Sequence, residues 1–318
     1  MINDIRARID ELDRQLVDLL AERMRLSAQL GIEKSKLDMP IVDGARERAV
    51  RQLWKEMFSK NGLSPSLADG MLDALLRESR HLQLRARKPA DVMIVGEGRM
   101  GSLLQRCLAD AGNRVAKVSA EGAANSYAGQ EFVVLAVPPE AQLDMSFARG
   151  AIVMDIASSK SLIFRRLERQ SEKLGFRYVS THPLFGAVED PFEETVVVIP
   201  SRTSGEGLTS VKDLWRSAGF RVIISSVEEH ERAMSAVQVM VHAHLLSLMS
   251  SLNQFAQING IDPYRYETRT LRRLRPILDD LSKNERVVRE IREQNSYAKE
   301  ALALSMRVFN RVAGGELA

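Results

Sequence analysis

The sequence predicts a multidomain α and α/β chain: a three-helix N-terminal domain, a doubly wound α/β domain and an all-α C-terminal domain. Three observations carry this. The first 88 residues hold no strand pattern, only apolar residues at helical spacing. At Val92–Gly101 a short apolar run meets a Gly96-x-Gly98-x-x-Gly101 turn, and Ser102 to Ala111 then reads as a helix. From about Thr203 onward the pattern is again mostly helical. Domains are therefore expected at residues 1–88, 89–202 and 203–318.

Composition narrows the function classes. The 318 residues are 45% hydrophobic and 27% charged, as in soluble globular proteins. No apolar run is expected to reach a membrane span and no signal-peptide pattern opens the chain, so a cytoplasmic setting without a membrane partner is expected. The single cysteine, Cys107, excludes an internal disulfide and a cysteine metal cluster, and no metal is expected. Its place in the helix after the glycine turn suits an apolar packing role. A net charge of +3 with 5% aromatics gives a nucleic-acid role little support. The many arginines suit small acidic molecules, because a guanidinium pairs bidentately with a carboxylate.

In the N-terminal segment Ile5, Ile9, Leu12, Leu16, Leu19 and Leu20 form one helical stripe that continues to about Lys36. Pro40 interrupts it. Asp43 can cap a second helix to about Lys60, and Asn61-Gly62 ends that one. Ser64-Pro65 opens a third, to about Arg87. Three helices, one of them very long, cannot bury these stripes as a monomer, so an intertwined homodimer is expected.

The strings Ile5 to Asp10, Ala21 to Arg23, Gly31 to Lys34, Asp43 to Glu47 and Ser79 to Gln83 make this segment resemble the all-helical chorismate mutase domain. The family's active-site pattern falls on Arg6, Arg23, Lys34, Asp43, Arg46, Glu47, Ser79 and Gln83. The chemistry agrees with the resemblance. Chorismate is a dianion whose pericyclic rearrangement needs a compact substrate pose and charge beside the breaking ether oxygen, not covalent help. Two arginines can clamp its carboxylates, Lys34 and Gln83 can donate towards the ether oxygen, and Glu47 can accept from the hydroxyl. Arg6 and Arg23 are seventeen positions apart, roughly 25 Å along a helix. If both act on one small substrate, the site is built from two subunits. The plain alternative is that these are solvated charges on an amphipathic bundle.

After the basic stretch Arg85, Arg87, Lys88 and Pro89, strands are predicted at 91–95, 114–118, 131–137, 151–156, 177–180, 195–199 and 221–225. Gly96 makes the tight turn, Gly98 admits a pyrophosphate, and Gly101 lets helix and strand approach, with Arg99 and Met100 between them. Val137 and Pro138, at a strand end, line the same Rossmann-like crevice. The position after the second strand is Ser119, not Asp or Glu, with Arg114 and Lys117 near it in sequence. This favours NADP over NAD, although Glu121 could supply the acidic partner of NAD.

Asp155 to Lys160 and Thr181-His182-Pro183-Leu184-Phe185-Gly186, together with the glycine turn, make the chain from about residue 91 to the C-terminus resemble prephenate dehydrogenase. The resemblance carries Ser158, Lys160, His182 and His242. It implies an oxidative decarboxylation in which His182 takes the proton of the ring hydroxyl, hydride goes to the nicotinamide, and loss of carbon dioxide aromatises the ring. Ser158 would orient the same hydroxyl, and His242 would contact the side-chain carboxylate or order the site. His242 and His244 share an amphipathic helix, where one or both could be structural, and His81 and His230 read as exposed or capping, without chemistry. An arginine the family uses for the ring carboxylate falls near Leu278, Asp279 or Asp280, none of which replaces it. Arg272, with Arg269, Arg273 and Arg275 nearby, is the candidate substitute. The apolar face of the helix through Met234, Met240 and Met249 reads as a subunit interface.

The whole is read as a bifunctional enzyme of tyrosine biosynthesis, turning chorismate into prephenate and prephenate into 4-hydroxyphenylpyruvate. The alternatives are a mutase with a non-catalytic, nucleotide-binding regulatory half, and a mutase fused to an arogenate dehydrogenase.

Overall fold

The computed structural model describes residues 1–37, 39, 41–84, 89–120, 130–142, 145, 147–186 and 191–316. Pro40, the basic residues Arg85, Arg87 and Lys88, and Glu121 lie outside these described residues.

The N-terminal part is three helices, α1 (Ile2–Lys36), α2 (Gly44–Lys60) and α3 (Pro65–Leu84). α3 lies between the other two and packs on both. Asp43 caps α2 as the sequence predicts, its Oδ1 accepting from the Arg46 N–H at 2.9 Å. α1 runs unbroken for 35 residues, which is about 52 Å of helix. Only its second half packs on α3. Ile5, Ile9, Leu12, Leu16 and Leu19 are all exposed. Where the two helices meet, a Cβ on Gly31 would lie 2.5 Å from the Gln83 Cα, so only glycine permits this approach.

The middle part is a seven-stranded sheet of β1 (Asp91–Val95), β2 (Arg114–Val118), β3 (Phe132–Leu135), β4 (Ile152–Asp155), β5 (Arg177–Pro183), β6 (Thr195–Pro200) and β7 (Arg221–Ile224). Its order is β2-β1-β3-β4-β5-β6-β7. The first five strands are parallel, β6 runs antiparallel to β5, and β7 is parallel to β6. Burial on both faces explains the unbroken apolar runs of β1, β3 and β4. Helices α4 (Arg99–Asp110) and α7 (Gly207–Ser217) cover one face, with α5 (Pro139–Gln142) a single short turn and α6 (Ile163–Leu174) on the other. Leu84 of α3 enters the core beside α4 and α7, so the helical N-terminal part is docked on the α/β part. Cys107 packs, partly buried, against that same core. The sheet continues through α7 and β7 to Ile224, so the division expected at residue 202 falls inside this unit.

The C-terminal part begins with α8 (Val227–Met234), which passes through a wider π-helical segment (Ser235–Met240) into α9 (Val241–Asn259). This continuous stretch is long and apolar enough to cross a membrane by length and composition alone, which corrects the expectation that no run would be. A short turn at Pro263–Tyr266 leads to α10 (Arg269–Lys283), α11 (Glu285–Gln294) and α12 (Ala298–Ala313). The mostly helical pattern expected after Thr203 is thus interrupted at Asn284 and Asn295. α12 packs on the π-helical segment. α9 buries none of its residues, and Phe255 and Ile258 project from it exposed.

Candidate functional site

The first site lies between the three N-terminal helices. Arg23 donates to the Ser79 Oγ at 2.6 Å, and Ser27 to the same oxygen at 3.1 Å. Burial lowers the pKa of the Arg23 guanidinium. Lys34 donates to the Ile41 carbonyl at 2.5 Å. Burial lowers its pKa, while the charges of Asp43 and Glu47 oppose that shift. Gln83 is buried; its Nε2 donates to the Ser79 carbonyl at 3.2 Å and its Oε1 has no partner. The Nε2 carries a second N–H, which this bond leaves available to a ligand. Glu47 is held by Arg80, whose Nε donates to Oε1 at 2.9 Å and whose Nη2 donates to Oε2. Arg23, Lys34, Asp43, Glu47, Ser79 and Gln83 are thus gathered at one place. Arg46 sits exposed at the start of α2, and Asp43 is already engaged as its cap. Arg6 is on the bare half of α1, exposed and apart from the cluster. Sequence reading missed Arg80, which no motif singled out.

The second site lies at the carboxyl ends of the parallel strands. His182, on β5, is 2% exposed, and its Nδ1 is 2.9 Å from Nε2 of His230 on α8. His230 is 2% exposed as well, so its reading as an exposed or capping residue was wrong. Its Nδ1 faces Glu231 Oε1 at 3.6 Å. Glu231 accepts from the Lys160 backbone N–H at 2.7 Å and from the Ser161 hydroxyl at 2.8 Å. Burial pushes its carboxyl up, but the His230 imidazole beside it and the hydrogen bonds from Lys160 and Ser161 outweigh that and hold it below the ordinary range. An anionic Glu231 favours a proton on His230 Nδ1. His230 Nε2 then accepts from His182 Nδ1–H, which leaves His182 Nε2 as a bare base. Burial, then the charge of Lys160 and the neighbouring His230, hold the His182 pKa well below the ordinary histidine value.

Lys160 is a brace. Its buried ammonium donates to Asp155 Oδ1 at 2.7 Å and to the Thr181 carbonyl at 2.8 Å, and Tyr178 donates to Asp155 Oδ2 at 2.7 Å. This ties the loop carrying Ser158, which is half-buried, to the strand carrying His182. His242 follows the π-helical segment, its Nδ1 buried without a partner, and burial lowers its pKa. His244 instead bonds Ser305 and lies tilted against the Phe309 ring, which ties it to α12 as a packing residue. Arg272 is exposed and ion-paired with Glu267 at 3.6 Å, and Arg275 shares that carboxylate at 2.9 Å. Leu278 is buried in the helical core, so the family's arginine has no counterpart there.

The glycine turn is built as the sequence predicts. Gly96 has φ +130°, and a Cβ there would lie 2.3 Å from the Ala136 carbonyl. A Cβ on Gly101 would lie 2.2 Å from the Gly96 carbonyl. Around Gly98 no atom lies within 4 Å of a Cβ, and α4 starts there without a side-chain cap. Open backbone N–H groups beside clear space fit a dinucleotide pyrophosphate. Met100 lies in the first turn of α4, and Val137 and Pro138 follow β3 beside this turn. Arg99 turns away to Asn284 of the helical part. Ser119 closes β2, and Lys117 reaches the Ser102 hydroxyl at 2.9 Å. Arg114 is at the wrong end of β2, paired with Asp91 at 2.5 Å. Five extended residues separate it from Ser119 by roughly 16 Å.

Residues 5–84 match the family described as chorismate mutase type II, and residues 108–224 match the prephenate dehydrogenase nucleotide-binding domain. The T-protein of Haemophilus influenzae is 26% identical over 262 residues, covering 76% of this chain and 67% of that protein. The T-protein of Enterobacter agglomerans is 27% identical over 254 residues, covering 75% and 67%. Among solved structures, prephenate dehydrogenase from A. aeolicus, in complex with hydroxyphenyl propionate and NAD+, shares the fold. It has a TM-score of 0.56 and 20% identity, over 72% of this chain and 90% of that one. With both domains matched in this order and relatives aligned across three quarters of its length, the chain belongs among the fusions of a type II chorismate mutase with a prephenate dehydrogenase.

Proposed function

We propose that the chain rearranges chorismate to prephenate in the cluster between α1, α2 and α3, and oxidatively decarboxylates prephenate to 4-hydroxyphenylpyruvate at His182. The observation that carries this reading is the pairing of two built sites. One is a half-buried set of cations with the buried Gln83 amide around Ser79, the other a buried histidine pair at the strand ends together with an open glycine cradle.

In the first site Arg23, Lys34 and Arg46, with Arg6 of a second copy, would hold the dianion. Lys34 and the second N–H of Gln83 Nε2 would donate to the ether oxygen as negative charge grows there. Glu47 would accept from the hydroxyl. Asp43 and Ser79 hold Lys34 and Arg23 in place. A homodimer supplies the second Arg6 and covers the exposed stripes of α1 and α9. In the second site His182 Nε2 removes the ring hydroxyl proton, and His230 and Glu231 fix its tautomer. Ser158 and His242 orient prephenate, and Arg272 or a neighbour on α10 supplies a cation for the ring carboxylate. The dinucleotide, when bound at Gly96, Gly98, Arg99, Met100 and Gly101, with Ser119, Val137 and Pro138, accepts the hydride. Ser119 and Lys117 favour NADP, and a lone cysteine fits a reducing cytoplasm.

A coupled assay tests both halves. Chorismate is supplied with NADP+ or NAD+, and chorismate loss and cofactor reduction are followed together. The expected result is loss of chorismate with reduction in step, faster with NADP+. Chorismate loss without reduction, even when prephenate is added directly, would remove the dehydrogenase reading and favour a nucleotide-binding regulatory half. Reduction restored by arogenate alone would reassign the substrate.

A further inference from the structure

Arg80 stands where the two catalytic halves touch. Its fork holds both oxygens of Glu47, and its Nη1 faces Glu193 Oε2 at 3.7 Å. Its guanidinium carbon lies 4.6 Å from the centroid of the Phe192 ring. Phe192 and Glu193 belong to the α/β part and directly precede β6, the strand paired with His182. Neither is casually placed. Glu193 is the one non-glycine residue with positive φ among the described residues, at 64°, and its N–H donates to the Gly219 carbonyl at 2.9 Å. A left-handed backbone in a residue that does not favour it persists only where its surroundings enforce it. Phe192 lies against Gly219 so closely that a Cβ there would meet the ring at 2.5 Å, which leaves the ring no room to withdraw.

We propose that Arg80 is a positioning residue for Glu47, and that its position is set by Phe192 and Glu193 of the dehydrogenase half. A flexible carboxylate that must accept one hydrogen bond from a hydroxyl gains from a planar fork that fixes both its oxygens. That fork is itself fixed by an aromatic face and a second carboxylate from the other domain. The mutase site is therefore complete only when the dehydrogenase half is folded against it. The inference rests on the assignment of Glu47 to the mutase site.

The test uses the full chain and reads chorismate turnover in Phe192→Ala, Phe192→Tyr and Glu193→Gln, none of which alters the mutase domain. Phe192→Ala is expected to lower mutase kcat/KM roughly twofold to fivefold, the size of a partly exposed cation–π contact, with Phe192→Tyr restoring it. In an Arg80→Met background the same Phe192→Ala change should have no further effect, because it acts only through Arg80. Glu193→Gln, which keeps the shape of the turn, gives the same comparison if Phe192→Ala folds poorly. An equal loss in both backgrounds, or no loss in either, overturns the proposal. A wild-type chain that does not turn over chorismate instead overturns the site assignment beneath it.

Discussion

His182 is the residue on which the dehydrogenase reading turns, and its surroundings make two outcomes measurable. Replacing it with asparagine should lower prephenate turnover by about two to four orders of magnitude, the usual contribution of a general base. Chorismate turnover by the same protein should be unchanged. Because burial, Lys160 and His230 depress its pKa, the imidazole stays neutral to lower pH than a free histidine, whose ordinary value is 6.5. The acid limb of dehydrogenase kcat/KM should therefore fall with a midpoint below pH 6.5. A midpoint above that value would assign the base elsewhere. His182 was legible because a histidine before proline at a strand end carries a motif. His230 was not, since it is 48 positions away and meets His182 only through the fold. A polar residue on a helix otherwise reads as solvent-facing. Glu231 and Arg80 escaped for the same reason: their partners lie on other elements.

Elements with a strong local pattern were the most legible. The parallel strands announced themselves as apolar runs because both faces of the sheet are covered, and the three-glycine turn announced the first strand-to-helix corner. The glycines separate into two kinds that a single experiment distinguishes. Gly98 has open space where a Cβ would go, whereas Gly96 and Gly101 would drive one into backbone. Gly98→Ala should leave the melting temperature unchanged and weaken dinucleotide binding at least tenfold by roughly one methyl's intrusion on a close phosphate contact. Gly101→Ala should lower the melting temperature itself. Differential scanning fluorimetry with and without NADP+ reads both. Where sequence reading failed at this scale, the cause was geometry. Arg114 is close to Ser119 in the chain but a strand length from it in space. The strand expected at 221–225 joins the preceding sheet, as read, but the boundary drawn at residue 202 cuts that unit, because α7 carries the chain back to the same edge. The π-helical segment leaves no mark in apolar periodicity, since it widens a helix without ending it.

For the whole molecule the exposed apolar surface is the guide. Ile9 and Leu16 on α1, and Phe255 and Ile258 on α9, are exposed at opposite ends of the chain. A homodimer that covers both is expected in solution, and Leu16→Glu should break the N-terminal contact. Light scattering would then report a smaller or looser particle, with mutase activity reduced about tenfold or more and dehydrogenase activity largely kept. A monomeric wild-type chain with full mutase activity would contradict this. Domain order and helix content were readable from composition and period. The docking of α3 on the sheet was not, because Leu84 looks like any other apolar helix residue until it meets α4 and α7.

The length of α1 has a genetic consequence. Arg6 and Lys34 sit near opposite ends of α1, so in the proposed homodimer the helix would give its first turn to one site and its last turn to the other. Two alleles, one altered at Arg6 and the other at Lys34, would each be inactive for the mutase step when alone. Expressed together in equal amounts, half of the dimers are mixed, and each mixed dimer regains one intact pocket. About a quarter of wild-type mutase activity returns, enough for two defective copies to rescue a cell that neither supports by itself.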